Sequence, residues 1–548
     1  MPWGRMRKSV NVSGGFVMKS RRSSAHMPLD GRMNSGDGLK ESNEQLKMGR
    51  EQEVLEELLQ AGCREFVVCG GARNAGLVAI LEAAEGLQVW RHFEERGAAF
   101  FALGRSKDHG QPCAVVTTSG TAVAECLPAV IEAHYTNKPL IVLSADRPPE
   151  YRGSGAPQVI DQEGIFGTYA ALNLQEWEGH GPLHVNVPLE EGEVGCDEWV
   201  AEPEGFLPSR ISFEVRNLRD FLDQGVFRGL VVMIGGLELE DREEAYHFVR
   251  DLGVPVVADV TSGLREVLGD LLVPGDLFKG SLPGRVLRMG EVPVGRMWRD
   301  LEGHSGTGVL SICRNGLPGL ARESAVIRGE VGRVLRGLGA VNPVGDVRDD
   351  FARSKARLAA LDERLEVFPD SEPGLVRLLS VYATTGESLY LGNSLPIREW
   401  NDFGQRETPY AQVLANRGAN GIDGQVSTWL GATAETEDAW GVFGDLTALY
   451  DLAAPAMLSQ VENRGRVLVV INNGGGRIFD KLPRLKGLSE RQRAGLVQPQ
   501  EVSLRAWAEM WGMAYLRISD REGFDGLEAG ERTLLVEVVP DEDQTARF

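Results

Sequence analysis

From Glu65 to Val538 the chain repeats one pattern: a short run of β-branched and apolar residues, a glycine-bearing turn, then a helix-forming stretch. No other feature constrains the fold as strongly. A strand that is apolar on both faces must be covered on both faces, and strands joined through helices run parallel. The runs are Glu65-Phe66-Val67-Val68-Cys69, Ala114-Val115-Val116 and Leu140-Ile141-Val142-Leu143, then Leu230-Val231-Val232-Met233-Ile234, Val254-Pro255-Val256-Val257-Ala258 and Val309-Leu310-Ser311-Ile312. Leu389-Tyr390-Leu391, Gly441-Val442-Phe443, Val467-Leu468-Val469-Val470-Ile471 and Leu534-Leu535-Val536-Glu537-Val538 complete the series.

A chain of 548 residues exceeds what one core can organise. The grouping of the runs predicts an α/β protein of three successive open, mostly parallel α/β domains over 49–205, 206–349 and 369–548, with a charged helical linker at 350–368. Residues 1–48 read as a disordered extension. Residues 1–29 hold six Lys/Arg and no Asp or Glu, a pattern shared by transit peptides and by a start placed ahead of Met27, Met33 or Met48. A net charge of −21 argues against nucleic acid and anionic membranes as partners. No apolar run is long enough to span a bilayer, so no membrane insertion is expected. The six cysteines form no C-x-x-C and sit in apolar contexts, which predicts buried thiols and a reducing, cytoplasmic setting.

Chemistry concentrates in the third unit. Gly444-Asp445 follows one strand and Asn472-Asn473-Gly474-Gly475 follows the next. Ligands of open α/β sheets bind beyond the carboxyl ends of the strands, so both side chains should enter one crevice. The Asp445 carboxylate, the Asn473 carboxamide oxygen and the Gly475 carbonyl are three hard oxygen ligands. They suit Mg²⁺, or Mn²⁺ in its place, shared with a diphosphate. The helix opening at Leu446-Thr447-Ala448 offers N–H groups to that diphosphate. Each piece alone also reads as a mere turn or cap. Their pairing after two apolar strands favours the ligand reading.

In the first unit, Arg91-His92-Phe93-Glu94-Glu95-Arg96-Gly97 follows a short strand, Leu87-Gln88-Val89-Trp90, and opens a helix of small residues. Two acids there can simply be a solvated first turn. Together with the third-unit signature, however, this segment resembles a thiamine-diphosphate family, the 2-succinyl-5-enolpyruvyl-6-hydroxy-3-cyclohexene-1-carboxylate synthases of menaquinone biosynthesis. The other stretches that carry the likeness are Thr117-Thr118-Ser119-Gly120-Thr121-Ala122, Ser144-Ala145-Asp146-Arg147-Pro148-Pro149-Glu150, Gly392-Asn393-Ser394, Asn416-Arg417-Gly418-Ala419-Asn420-Gly421-Ile422-Asp423-Gly424 and Asn472-Asn473-Gly474-Gly475-Gly476-Arg477-Ile478-Phe479. The resemblance spans residues 50–540 and is weakest in the middle unit.

The resemblance implies decarboxylation of 2-oxoglutarate and 1,4-addition of the succinyl unit to isochorismate, with thiamine diphosphate and Mg²⁺ as cofactors. By position, Glu95 becomes the acid that activates the cofactor. Asp445, Asn473 and Gly475 become metal ligands, with Thr447 at the diphosphate. Ile422 lies under the bent cofactor, and Ile478 and Phe479 wall the reaction chamber. Arg73, Arg398 and Arg417, with Arg296 as a looser match, would bind substrate carboxylates, for which the guanidinium fork is suited. Gln158 and Ser394 would donate hydrogen bonds. The glutamate and the diphosphate site of this superfamily meet across subunits, which implies a homodimer or homotetramer.

Three departures from the family pattern stand out. Cys69-Gly70-Gly71-Ala72-Arg73-Asn74 replaces a usual Pro-Gly-Ser-Arg-Ser, the stretch from Phe166 to His184 is short enough to lose a helix, and Gly474 stands for a third asparagine. The alternatives are another thiamine-diphosphate 2-oxoacid decarboxylase or carboligase, a non-catalytic binding relative, and a nicotinamide-dependent oxidoreductase. The last would use Gly70–Gly76 as a dinucleotide turn, but Ala72 and Ala75 occupy two of its glycine positions.

Overall fold

The apolar runs form the strands of three separate parallel sheets. The structure is a computed structural model, and it describes residues 49–190, 209, 211–223, 229–342, 348–383 and 388–548. The extension 1–48, the expected boundary at 205/206 and Cys196 therefore lie outside the described residues. The first sheet holds β1 (Glu65–Val68), β2 (Gln88–Arg91), β3 (Cys113–Thr117), β4 (Leu140–Asp146) and β5 (Leu183–Pro188) in the order β2-β1-β3-β4-β5. The second holds β6 (Leu230–Ile234), β7 (Val256–Ala258), β8 (Arg285–Met289), β9 (Gly308–Cys313) and β10 (Ala325–Arg328) in the order β10-β9-β8-β6-β7. The third holds β11 (Ser388–Leu391), β12 (Gln412–Leu414), β13 (Ala439–Gly444), β14 (Val467–Ile471), β15 (Ala514–Ile518) and β16 (Leu534–Val538) in the order β12-β11-β13-β14-β16-β15.

All pairings between these strands are parallel. In each sheet the second strand lies outside the first and the third lies on its other side. The chain direction across the sheet therefore reverses between β1 and β3, between β6 and β8, and between β11 and β13. Such switch points open crevices at the carboxyl ends of the strands. The helix Arg348–Val367 runs between the second and third sheets, so residues 349 and 350 lie within one helix.

Between β4 and β5 there is no α-helix, only the 3₁₀ turns Pro149–Tyr151 and Gly167–Tyr169, as the short 166–184 stretch predicts. One face of the first sheet packs Phe66 and Val68 on Leu55, Leu58 and Leu77. Its other face shares a core with the third sheet, joining Phe101, Leu103 and Val115 to Trp429, Phe443 and Val470. The helices Glu95–His109 and Gln425–Ala432 meet there through glycines. A Cβ on Gly104 would fall 2.2 Å from the Thr428 carbonyl oxygen, and one on Gly431 would fall 2.1 Å from that of Phe101. Cys63, Cys69, Cys113, Cys126 and Cys313 are buried free thiols. No described helix is long and apolar enough to cross a membrane.

Candidate cofactor and substrate site

β13 and β14 pair in register as far as Gly444 and Ile471, so Asp445 and Asn472-Asn473 leave the sheet side by side. Asp445 is buried. Its Oδ1 accepts the Leu446 N–H at 2.7 Å, and its Oδ2 accepts the Gly475 N–H and the Gln500 Nε2–H, each at 2.6 Å. Burial raises its pKa, and these hydrogen bonds oppose the rise. Asn473 donates from Nδ2 to Glu372 Oε1 at 2.9 Å, while its buried Oδ1 has no hydrogen-bond partner. A buried acceptor left unpaired costs free energy, which a cation at Oδ1 would recover.

Gly475 has φ +124°, and a Cβ there would fall 2.6 Å from the Val497 carbonyl oxygen. Only glycine fits that close approach. Its carbonyl accepts the Arg477 N–H at 2.8 Å and keeps a second lone pair. Thr447 is buried in the helix Asp445–Tyr450, which begins one residue before the expected Leu446. Among the described residues no three His, Cys, Asp or Glu side chains group as metal ligands. One carboxylate with two neutral oxygens remains, a donor set suited to a hard cation that draws its other ligands from phosphate and water. The residues present thus fit both the cation and the diphosphate.

Ile478 and Phe479 lie in the 3₁₀ turn Arg477–Lys481 and are partly buried. Phe479 lines a cavity of about 1310 Å³ together with Glu372, Asn473, Gly474 and Lys481. Ile422 is partly buried between β12 and the helix Gln425–Ala432, and is not among the residues lining that cavity.

At the first sheet the two adjacent acids take different roles. Glu94 caps the helix Glu95–His109, accepting the N–H groups of Arg96 at 3.1 Å and Gly97 at 2.8 Å. Glu95 is partly buried, and its side chain forms no hydrogen bond or ion pair with a described residue. The helix-cap reading therefore accounts for Glu94 and leaves Glu95 over. Arg96 donates to the Tyr450 carbonyl at 3.0 Å and lies 4.8 Å above the Tyr450 ring. That is the far end of the helix that Asp445 begins, and no hydrogen bond or ion pair joins Glu95 to Asp445, Asn473 or Gly475.

Asn74 braces the glycine turn after β1, accepting the Gly71 N–H at 2.8 Å and donating to the Cys69 carbonyl at 2.9 Å. Arg73 is buried and donates to the Leu189 carbonyl at 3.1 Å. Gln158 is exposed with φ +57°, and its Cα would be 3.1 Å from a Cβ on Gly120.

Two of the arginines expected to bind substrate follow strands β11 and β12 of the third sheet. Ser394 has φ +73° and starts the helix Leu395–Phe403, and Arg398 donates back to the Ser394 carbonyl. Arg417 is buried, with one guanidinium nitrogen 2.8 Å from Asn393 Oδ1 and Nε unpartnered. Burial, then the charges of Arg417 and Arg299, bring Arg398 down from 12.5 to about 10. Burial also lowers Arg417, against Asp259, Glu291 and Glu132. Buried Arg417 and partly buried Arg398 thus offer positive charge that an anion would stabilise. Arg296 is exposed and pairs with Asp300 at 3.3 Å, so Arg299, on the same helix, is the middle-unit charge that acts on Arg398. Arg299, Gln500 and Glu372 had no sequence signal, because each lies in a segment distant in the chain, and Lys481, two residues beyond Phe479, carried no motif.

Residues 50–165 match the family described as thiamine pyrophosphate enzyme, N-terminal TPP binding domain. A 2-succinyl-5-enolpyruvyl-6-hydroxy-3-cyclohexene-1-carboxylate synthase of Akkermansia muciniphila is 48% identical, over 90% of this chain and 96% of its own. The chain belongs to this synthase family. A second member, from Bdellovibrio bacteriovorus, is 36% identical over 84% of this chain and 90% of its own. Membership makes the protein a thiamine-diphosphate enzyme and removes the nicotinamide alternative. A putative thiamin diphosphate-dependent enzyme from Mycobacterium smegmatis superposes with a TM-score of 0.66 over 90% of this chain and 99% of its own, at 16% identity, a likeness of fold alone.

Proposed function

We infer that the protein joins the succinyl unit of 2-oxoglutarate to isochorismate, releasing CO₂ and forming 2-succinyl-5-enolpyruvyl-6-hydroxy-3-cyclohexene-1-carboxylate. The observation that carries this reading is the cationic pair of buried Arg417 and partly buried Arg398, which follow strands whose carboxyl ends lie on the same face as the Asp445–Asn473 oxygens. Polycarboxylate substrates need such a cationic pocket beside the cofactor.

Bound thiamine diphosphate supplies a nucleophilic carbon and an electron sink for the loss of CO₂. The residues do the rest. Asp445, Asn473 and the Gly475 carbonyl would hold Mg²⁺, with Thr447 at the diphosphate. Glu95, free of intrachain partners, would hold a proton at N1′ of the aminopyrimidine. Ile422, Ile478 and Phe479 would shape the apolar walls. Arg398, Arg417 and Arg73 would bind carboxylates, with Ser394 and Gln158 as hydrogen-bonding neighbours. Arg296 and Arg299, both exposed on one short helix, would add positive charge from the middle unit. Glu95 has no tie to its own chain's Asp445, which supports a site shared between two subunits of a homodimer or homotetramer.

The test is direct. Purified protein is mixed with Mg²⁺, thiamine diphosphate, 2-oxoglutarate and isochorismate, and isochorismate loss is followed alongside CO₂. Equal consumption of both substrates is expected. Brisk decarboxylation with isochorismate untouched would point to another 2-oxoacid decarboxylase.

A further inference from the structure

A buried acidic pair lies behind the Asn473–Lys481 segment and has no role in the chemistry above. Glu372 opens the helix Glu372–Tyr382, where Ser371 caps the helix by accepting the Gly374 N–H at 3.1 Å. The Glu372 backbone N–H donates to Thr545 Oγ1 at 2.9 Å, so the C-terminal helix fixes its position. Its side chain is 2% exposed, and its Oε1 accepts the Asn473 Nδ2–H at 2.9 Å. Glu399 lies on the helix Leu395–Phe403, next to Arg398, and is also 2% exposed. Its Oε1 takes the Lys481 ammonium at 2.5 Å, and its Oε2 has no partner. Burial, then the neighbouring Glu372, hold Glu399 well above the usual carboxyl range, against Lys481.

Two carboxyls placed together in a core are costly, and such an arrangement persists when it holds something in place. Here they grip the two ends of one segment. Asn473 is at its start and Lys481 at its end, and between them lie Gly475, Ile478 and Phe479. A carboxamide beside a carboxylate turns its NH₂ toward that acceptor, so its oxygen faces the other way. That oxygen is the orphaned Oδ1.

We propose that Glu372 and Glu399 are positioning residues of the cofactor segment. Glu372 sets the Asn473 carboxamide with its oxygen toward the cation, and Glu399 pins the other end of the segment through Lys481. This rests on the reading of Asn473 as a metal ligand. Partners behind a ligand orient it and tune its affinity.

The test is calorimetric titration of thiamine diphosphate into full-length apoprotein at a series of Mg²⁺ concentrations, with melting of the apoprotein recorded in parallel. Glu372→Gln raises the Mg²⁺ half-saturation by roughly tenfold or more, the scale of such partners, with no fall in apoprotein melting temperature. The double variant Glu372→Gln/Asn473→Ala is no weaker than Asn473→Ala alone, because both act through one carboxamide. Additive losses, or an unchanged half-saturation in Glu372→Gln beside a large loss in Asn473→Ala, would overturn the proposal and leave the metal site standing. No loss in Asn473→Ala would remove the metal reading, and the proposal with it. Should Glu372→Gln fail to fold, Lys481→Met, at a part-exposed side chain, raises the half-saturation several-fold, and an unchanged value there would count equally against the proposal.

Discussion

Glu94 and Glu95 are neighbours of the same type, and the backbone separates their roles. The extended Glu94 caps the helix, whereas Glu95 is already in the first turn and is left with no partner. Glu95→Gln keeps the shape but loses the carboxylate. Turnover falls by about a thousandfold, the scale of a lost acid–base group, while calorimetry shows thiamine diphosphate still binding. Asp445→Ala behaves in the opposite way, weakening Mg²⁺-dependent cofactor binding by roughly a hundredfold or more.

His184 tests burial alone. It is 2% exposed, lies 2.8 Å from Ser144 Oγ, and burial lowers its pKa from 6.5 to about 4. The neutral form is favoured in the folded state. The stability it confers is thus complete above pH 6.5 and is lost as pH falls toward about 4, worth about 3 kcal/mol over that window. Asp259, raised by burial to about 7, has the opposite slope. The measurement is therefore a comparison: urea unfolding of wild type and His184→Gln at pH 7.5 and at pH 4.5. The wild-type advantage shrinks in acid; an equal advantage at both pH values would contradict the assignment.

At the scale of elements, the helix pair Glu95–His109 and Gln425–Ala432 joins the first and third sheets. Gly104 and Gly431 let the two backbones touch. Gly431→Ala puts a Cβ against the Phe101 carbonyl and costs about 3 kcal/mol, seen as a lower urea midpoint. The same scale shows where apolar patterning stops being informative. The strands missing from the sequence reading are β5, β8, β10, β12 and β15. β8 carries Arg285 and Arg288, and Arg288 is buried against the Leu317 carbonyl at 2.7 Å and over the Trp298 ring at 5.2 Å. β10, β12 and β15 are sheet edges, where one neighbour suffices and apolar runs are not required.

At the scale of the whole molecule, Glu95 follows a strand of the first sheet and Asp445 one of the third, and no described hydrogen bond or ion pair joins them. A site shared between subunits has a distinctive consequence. Glu95→Gln and Asp445→Ala proteins are each inactive, yet unfolding and refolding them together regains activity. Random pairing puts both lesions in one site of each heterodimer and leaves its other site intact, so roughly a quarter of wild-type activity returns from a two-fold dimer. No recovery would place both residues in the site of a single chain.

The sequence by itself determined the three parallel sheets and the loss of a helix between β4 and β5, and it singled out the local groups Asp445, Asn473-Gly474-Gly475 and Glu95. These are contiguous patterns, set by strand burial, turn conformation and helix starts within a few residues. Only the tertiary structure decided that Glu94 rather than Glu95 caps the helix. It alone brought Gln500 to Asp445 and Glu372 to Asn473. Those pairings join segments far apart in the chain, and packing of the sheets, not any local preference, sets which side chains meet.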